Sequence, residues 1–364
     1  MFKKILEFYG IRWVKVVVNI FLSIIILFGA LLWFVNIRFY GTPSTEVWME
    51  NKAYDEKNVT DLQMKEGQDF KILVLSDIQL ETDPRKDFRT LKFLKRIVGE
   101  TKPDFIVTTG DNASWYFSEL ETKRLIRNME QFNILWGVTL GNHDSEGRAD
   151  RAAIGNLYEQ AKNSVFKQGP SNIHGIGNYS VNLKDPQGNI IYELIMMDSN
   201  IKRLYDLGEQ EDFIYYDQIK WYEWIVKGVS EARYGEHNPD VGKFVPSMLF
   251  FHIPIPEFNQ AEEAAKRGQE GSFGINREGE GWSSPLINTG LFDSVKKLNS
   301  TTHIFCGHHH NNSLSAIYDN VRLTFGLKSG YSAYYSEDMN GGTLITVKSG
   351  SHHIDVEHVY LLEN

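Results

Sequence analysis

The sequence predicts an α/β domain of two packed sheets flanked by helices, preceded by one N-terminal transmembrane helix. Three observations carry this expectation. Twenty successive uncharged residues lie near the N-terminus. Beyond them, short β-branched apolar runs alternate with amphipathic stretches of helical period. The chain then turns β-rich towards its end, a pattern that suits two layers of sheet with helices outside.

The uncharged run is 16–35, VVVNIFLSIIILFGALLWFV. At a helical rise of about 1.5 Å per residue it reaches roughly 30 Å, the hydrocarbon thickness of a bilayer. A cleaved signal peptide has a shorter apolar core and a small-x-small cleavage site, and the following NIRFYGTPSTEVW has no convincing one. An uncleaved signal anchor over 16–36 is therefore expected, against cleavage or a buried core helix. Lys3, Lys4, Arg12 and Lys15 precede the run, and only Arg38 follows it closely. Basic residues stay on the cytoplasmic side, so 1–15 is expected inside and the rest of this single-pass protein outside.

Residues 37–67 are polar and mixed without a sustained period, and read as a tether or an edge segment. One domain is expected from 68 to 364. Its strand-like runs are 70–75, 105–109, 134–140, 192–197, 245–251 and 302–305, then VRLTFGL, GGTLITV and the alternating tail HHIDVEHVYLL. Helical period appears in DFRTLKFLKRIV, SELETKRLIRNMEQF and DQIKWYEWIVKGVSEA.

With 42% hydrophobic and 13% aromatic residues the chain can bury a core, so disorder is excluded as the default. The net charge of −9 argues against a general nucleic-acid binder, which needs a basic face, and no nucleic-acid partner is expected. The single cysteine, Cys306, forbids an intramolecular disulfide and leaves the compartment open.

The chemistry gathers where strands end. The first run leads into Ser76-Asp77-Ile78-Gln79, the second into Gly110-Asp111-Asn112, the third into Gly141-Asn142-His143-Asp144. Residues 245–251 stop at His252, and 302–305 lead into Cys306-Gly307-His308-His309-His310. Open α/β sheets place their sites outside the carboxyl ends of strands, so five such endings can converge on one crevice. The i, i+2 spacing of Asp77/Gln79 and of His308/His310 suits an extended chain, where alternate side chains share a face. Glycines before the polar residues let the backbone turn sharply beside a ligand.

The ordered set D-x-[H/Q], GD, GNH[D/E], H, GHxH resembles the calcineurin-like metallophosphoesterase superfamily. His252-Ile253-Pro254-Ile255-Pro256-Glu257, Arg277-Glu278-Gly279, Ser283-Ser284-Pro285, Asn288-Thr289-Gly290-Leu291-Phe292 and DQIKWYEW are similar to its small purple-acid-phosphatase-like branch. The resemblance implies a four-layer αββα sandwich and a metal-dependent phosphoric ester hydrolase, phosphomonoesterase ahead of phosphodiesterase. It implies that Asp77, Gln79 and His310 hold a first metal, Asn142, His252 and His308 a second, and that Asp111 bridges them. Nitrogen and oxygen donors without thiolate admit two divalent or trivalent ions among Mn, Fe, Zn and Ni.

Such a pair supplies a bridging hydroxide for in-line attack on phosphorus. His143 takes the family's position for the acid that serves the leaving group, with Asp144 either orienting it or stabilising the loop. The expected partners are a phosphorylated substrate and the lipid bilayer around the anchor. From a different class, a non-catalytic metal- or phosphate-binding envelope protein is the alternative.

Two departures stand out. Where purple enzymes carry a tyrosine, three residues after the bridging aspartate, this chain has Ser114, so no tyrosinate–iron absorption band is expected. Gln79 stands where many relatives have histidine. His309, between two ligand positions, is expected to point away. The loop 259–282 is a candidate lid, and Arg148 and Arg277 are candidate phosphate contacts.

Overall fold

The computed structural model describes residues 2–205, 208–235, 244–277 and 284–361. It divides into two compact units, Met1–Phe39 and Tyr40–Asn364. The first is a single helix, α1 (Phe2–Asn36), so the segment expected to precede the span belongs to the same helix. Its apolar part, Trp13–Phe34, has a mean hydropathy of 2.6 and no share buried. By length and composition it can cross a membrane.

The second unit carries two sheets. The smaller uses β2 (Phe70–Leu75), β3 (Phe105–Thr109), β4 (Leu135–Thr139), β13 (Gly341–Val347) and β14 (Ile354–Tyr360), in the order β14-β13-β2-β3-β4. The larger uses β1 (Thr60–Gln63), β5 (Tyr179–Lys184), β6 (Ile190–Met196), β9 (Ser247–Phe250), β10 (Thr301–Cys306), β11 (Ser315–Tyr318) and β12 (Val321–Phe325), in the order β1-β5-β6-β9-β10-β12-β11. A separate hairpin joins β7 (Lys202–Tyr205) to β8 (Gly208–Glu211).

Both sheets feed one core, in which Leu73, Val107 and Val138 of the small sheet join Leu194, Met248 and Phe305 of the large one. Helices α2 (Pro84–Thr101), α3 (Ser118–Met129) and α4 (Arg151–Glu159) add Phe93, Leu94, Ile97, Leu125, Ile154 and Tyr158 to it. A second core lies under α5 (Tyr216–Tyr234), α6 (Glu257–Lys266) and α7 (Leu291–Leu298), through Tyr222, Phe258 and Phe292. The fold is therefore the four-layer αββα sandwich that the sequence resemblance implies. Strands covered on both faces read as continuous apolar runs rather than alternating ones, as FKILVL does.

The segment read as a tether or an edge segment is part of this unit, and its β1 is an edge strand of the larger sheet. The Gly41 N–H donates to Asp150 Oδ1 (2.9 Å), the Trp48 N–H donates to Asn172 Oδ1 (2.8 Å), and β1 pairs in parallel with β5. The compact domain thus begins at Tyr40 rather than at residue 68. Side chains satisfy the backbone of an aperiodic stretch here, which hydrophobic period cannot register. The candidate lid changes too: its start, 259–266, lies in α6, and 278–282 fall outside the described residues.

Parallel pairing of β2, β3 and β4 sets their carboxyl ends along one edge, and β6, β9 and β10 do the same in the larger sheet. That shared edge positions the site.

Candidate metal centre

Each site residue follows a strand end, but not on extended chain. Asp77, Gln79, Asp111 and His308 have φ of 51°, 47°, 50° and 75°. Left-handed backbone is costly for residues with a Cβ and persists where the surroundings over-determine it. Here the Asp77 and Gln79 N–H groups donate to the carbonyls of Gly110 (3.2 Å) and Asp111 (2.9 Å), which curls the chain after β2 around the chain after β3. The expected i, i+2 alternation is thus replaced by tight turns that aim the same side chains inward. Gly110, with φ of 88°, is needed for space as well: a Cβ there would lie 2.7 Å from the His252 ring.

Two groups of metal-ligand type result: Asp77, Asp111 and His310, and Asp111, His252 and His308, the donor atoms of each lying within 4.8 Å of one another. Asp111 belongs to both. His310 Nε2 lies 3.3 Å from Asp77 Oδ1, and His252 Nε2 lies 3.3 Å from Asp111 Oδ2. His252 Nε2 is also 3.1 Å from Asn142 Oδ1 and 3.2 Å from His308 Nδ1.

The far nitrogens fix the rings. His252 Nδ1 donates to the Thr109 carbonyl (2.8 Å), and His310 Nδ1 to that of Tyr334 (2.7 Å). A ring whose Nδ1–H is spent on a carbonyl presents Nε2 to the centre, as metal-ligating histidines do.

Electrostatics points the same way. Burial works against ionising Asp77, yet His310 and His252 hold its carboxyl well below the usual range. Burial also opposes the Asp111 charge, which His252 and His143 outweigh. Burial disfavours a proton on His252, but Asp111 and Asp77 push it up to about 9. Two buried carboxylates thus face converging imidazoles and an amide oxygen, a donor set that fits borderline transition-metal cations.

Gln79 reaches this centre with its Nε2, 3.2 Å from Asp111 Oδ2. Its Oε1 accepts from the buried Lys328 ammonium at 2.8 Å. His143 stands at the rim, its side chain 36% exposed, with Nε2 4.0 Å from Asp111 Oδ2. Its Nδ1 lies 2.5 Å from Glu146 Oε2. Burial alone would lower the His143 pKa, but Glu146 and Asp111 push it up to about 9. Asp144 does another job: fully buried, it accepts the N–H groups of Gly141 (2.7 Å), Asn112 (2.9 Å) and Ala113 (3.0 Å).

Three participants have no place in the sequence expectation: Glu146, Lys328, and Glu211, whose Oε1 lies 3.4 Å from His308 Nε2. Glu146 is i+3 from His143, a spacing that a search of the loop for carboxylates would have met. Glu211 and Lys328 come from the β7–β8 hairpin and the turn after β12, with no local signal. Of the candidate phosphate contacts, Arg148 is buried against Glu119, and Arg277 pairs with Asp338 through two contacts of 2.8 and 2.7 Å. His309 is buried and stacked on Phe325, centroids 4.9 Å apart, pointing away from the ligands.

The chain is 27% identical over 300 residues to "Probable inactive purple acid phosphatase 14" of Arabidopsis thaliana, covering 73% of this chain and 71% of that one. It is 27% identical over 270 residues to "Phosphatase DCR2" of Saccharomyces cerevisiae, covering 67% of this chain and 44% of that protein. Among solved structures, a dimetal phosphatase from Danio rerio superposes with a TM-score of 0.48 at 9% identity, over 80% of this chain and 99% of that one. Purple acid phosphatase PPD1 from yellow lupin (Lupinus luteus) gives 0.45 at 13%, over 81% and 55%. The sequence pattern of the calcineurin-like phosphoesterases matches residues 70–312, which span every residue of both ligand groups, and the chain belongs to that family.

Proposed function

We propose that this chain is a membrane-anchored hydrolase of phosphate esters, monoesters ahead of diesters, acting on the extracytoplasmic side. The observation that carries the reading is Asp111, shared by both ligand groups, with His143 Nε2 4.0 Å away at the rim. Asp77, Asp111 and His310 would hold one metal ion, and Asp111, Asn142, His252 and His308 the other. Ions held there supply Lewis acidity towards phosphoryl oxygens and a nucleophile at neutral pH.

The remaining steps belong to side chains. Asp77, Asp111, Asn142, His252 and His310 are buried and the His308 side chain is 11% exposed, against 36% for His143, so an ester enters with its leaving group towards the more open His143 side. As the imidazolium, His143 carries a proton on each nitrogen: Nδ1–H faces Glu146 Oε2, which leaves Nε2–H as the proton to be given up. As the ester bond breaks, Nε2 gives that proton to the departing alkoxide. Glu146 keeps the Nδ1 proton of the neutral ring in place, and Nε2 is reprotonated from solvent.

The apolar stretch of α1 and the basic residues before it support the anchor and its orientation. Protease added to intact cells should clip the domain; complete protection would reverse the topology. For activity, para-nitrophenyl phosphate and its bis-ester are assayed with Mn²⁺, Fe²⁺, Zn²⁺ or Ni²⁺ against EDTA. Metal-dependent release is expected, faster from the monoester. Metal retained without release from either ester would favour a non-catalytic binding protein, a reading that the "inactive" in some relatives' names keeps in play.

A further inference from the structure

Lys328 lies just beyond β12 and is 1% exposed. Its backbone is pinned on both sides, since the Ser329 N–H donates to the Ser76 carbonyl (2.7 Å) and the Gly341 N–H to that of Lys328 (3.0 Å). Its Nζ donates to the Asp77 carbonyl (2.9 Å) and to Gln79 Oε1 (2.8 Å). A buried ammonium is thus fixed in the wall of the first metal position.

This has two chemical consequences. An ammonium has donors only, so the amide facing it must present its oxygen. The Gln79 nitrogen is thereby turned to Asp111 Oδ2, and a nitrogen bearing two hydrogens cannot ligate a cation. The first position is left with Asp77, Asp111 and His310, whereas the second keeps Asp111, Asn142, His252 and His308. In addition, a fixed positive charge beside the first position repels a divalent ion there, and low-dielectric surroundings strengthen that repulsion.

We propose that Lys328 makes the centre fill in order, by withholding Gln79 as a ligand and supplying part of the positive charge that the carboxylates demand. The second position binds tightly and the first weakly, so the protein isolated at low metal holds one ion. The inference rests on the metal-centre reading above and concerns only the ranking of its two positions.

The test is metal stoichiometry, independent of turnover. The whole chain in detergent is dialysed against stepped Mn²⁺ concentrations and assayed by elemental analysis, with electron paramagnetic resonance to distinguish single from coupled ions. Wild type should bind in two separated steps, the coupled signal appearing only in the second. Lys328→Met should bring the second step to lower Mn²⁺ by about 10- to 100-fold, the span by which residues around a ligand shell move metal affinity. Gln79→Met, which keeps Lys328 in place, should move that step by less than about threefold; a larger loss would make Gln79 a ligand and overturn the proposal without needing Lys328→Met to fold. Two ions of equal affinity in wild type would overturn the ranking alone. No ion bound at all would remove the metal centre itself.

Discussion

Glu146 Oε2 lies 2.5 Å from His143 Nδ1, and this contact, not one to the adjacent Asp144, orients the ring at the mouth of the centre. A carboxylate on Nδ1 favours the protonated imidazole, so the acid is kept loaded near neutrality. His143→Ala should keep bound metal and lose about 10²- to 10⁴-fold in rate on a poor leaving group. Full turnover in that variant would refute the acid assignment.

The pH profile tests the pair. His143 is pushed up to about 9, and only its protonated form is the acid, so activity falls as pH rises through its pKa. Cations beside Asp111 act against the imidazolium and bring the alkaline limb of the loaded enzyme below 9. Glu146→Gln should move that limb further down, by on the order of one unit, while leaving KM nearly unchanged. An unmoved limb would detach Glu146 from the acid.

Asp111→Asn should lose both ions and activity together, since one carboxylate serves both groups. Elemental analysis beside circular dichroism separates that outcome from unfolding. Asp144→Ala should behave differently. Three backbone N–H groups lose their acceptor, at about 1–3 kcal/mol each for buried groups. A large fall in melting temperature is expected, with activity per folded molecule much less affected.

Much of this site was legible in the chain because each ligand follows a strand read from apolar runs, and FKILVL and FIVTT coincide with β2 and β3. The turn geometry was not legible, because φ at Asp77 or His308 is set by hydrogen bonds to residues far along the chain, such as Gly110 and Asp77 respectively. The same holds for Lys328, whose role depends on a bridge between Ser76 and a residue some 250 positions later. Two short strands could not be delimited for another reason: TDLQ of β1, inside the stretch read as a tether or an edge segment, and GEQE of β8 carry too few apolar residues to show a period.

Glu193 offers a stability test away from the centre. It lies on β6 opposite Asn182 of β5, 1% exposed. Burial pushes its carboxyl up to about 8, opposed by the Ser180 hydroxyl and assisted by Asp61 and Glu56. The unfolded chain loses this proton near pH 4.5, the folded chain near 8, so between them the folded state binds more protons. The contribution is therefore complete below about 4.5 and lost as pH rises towards 8. At about 1.4 kcal/mol per unit, it amounts to a few kcal/mol. Glu193→Gln should abolish it. Urea midpoints of wild type and variant, compared at fixed metal, should diverge in favour of the variant from pH 5 to pH 8; parallel curves would mean that Glu193 is ionised in the folded protein.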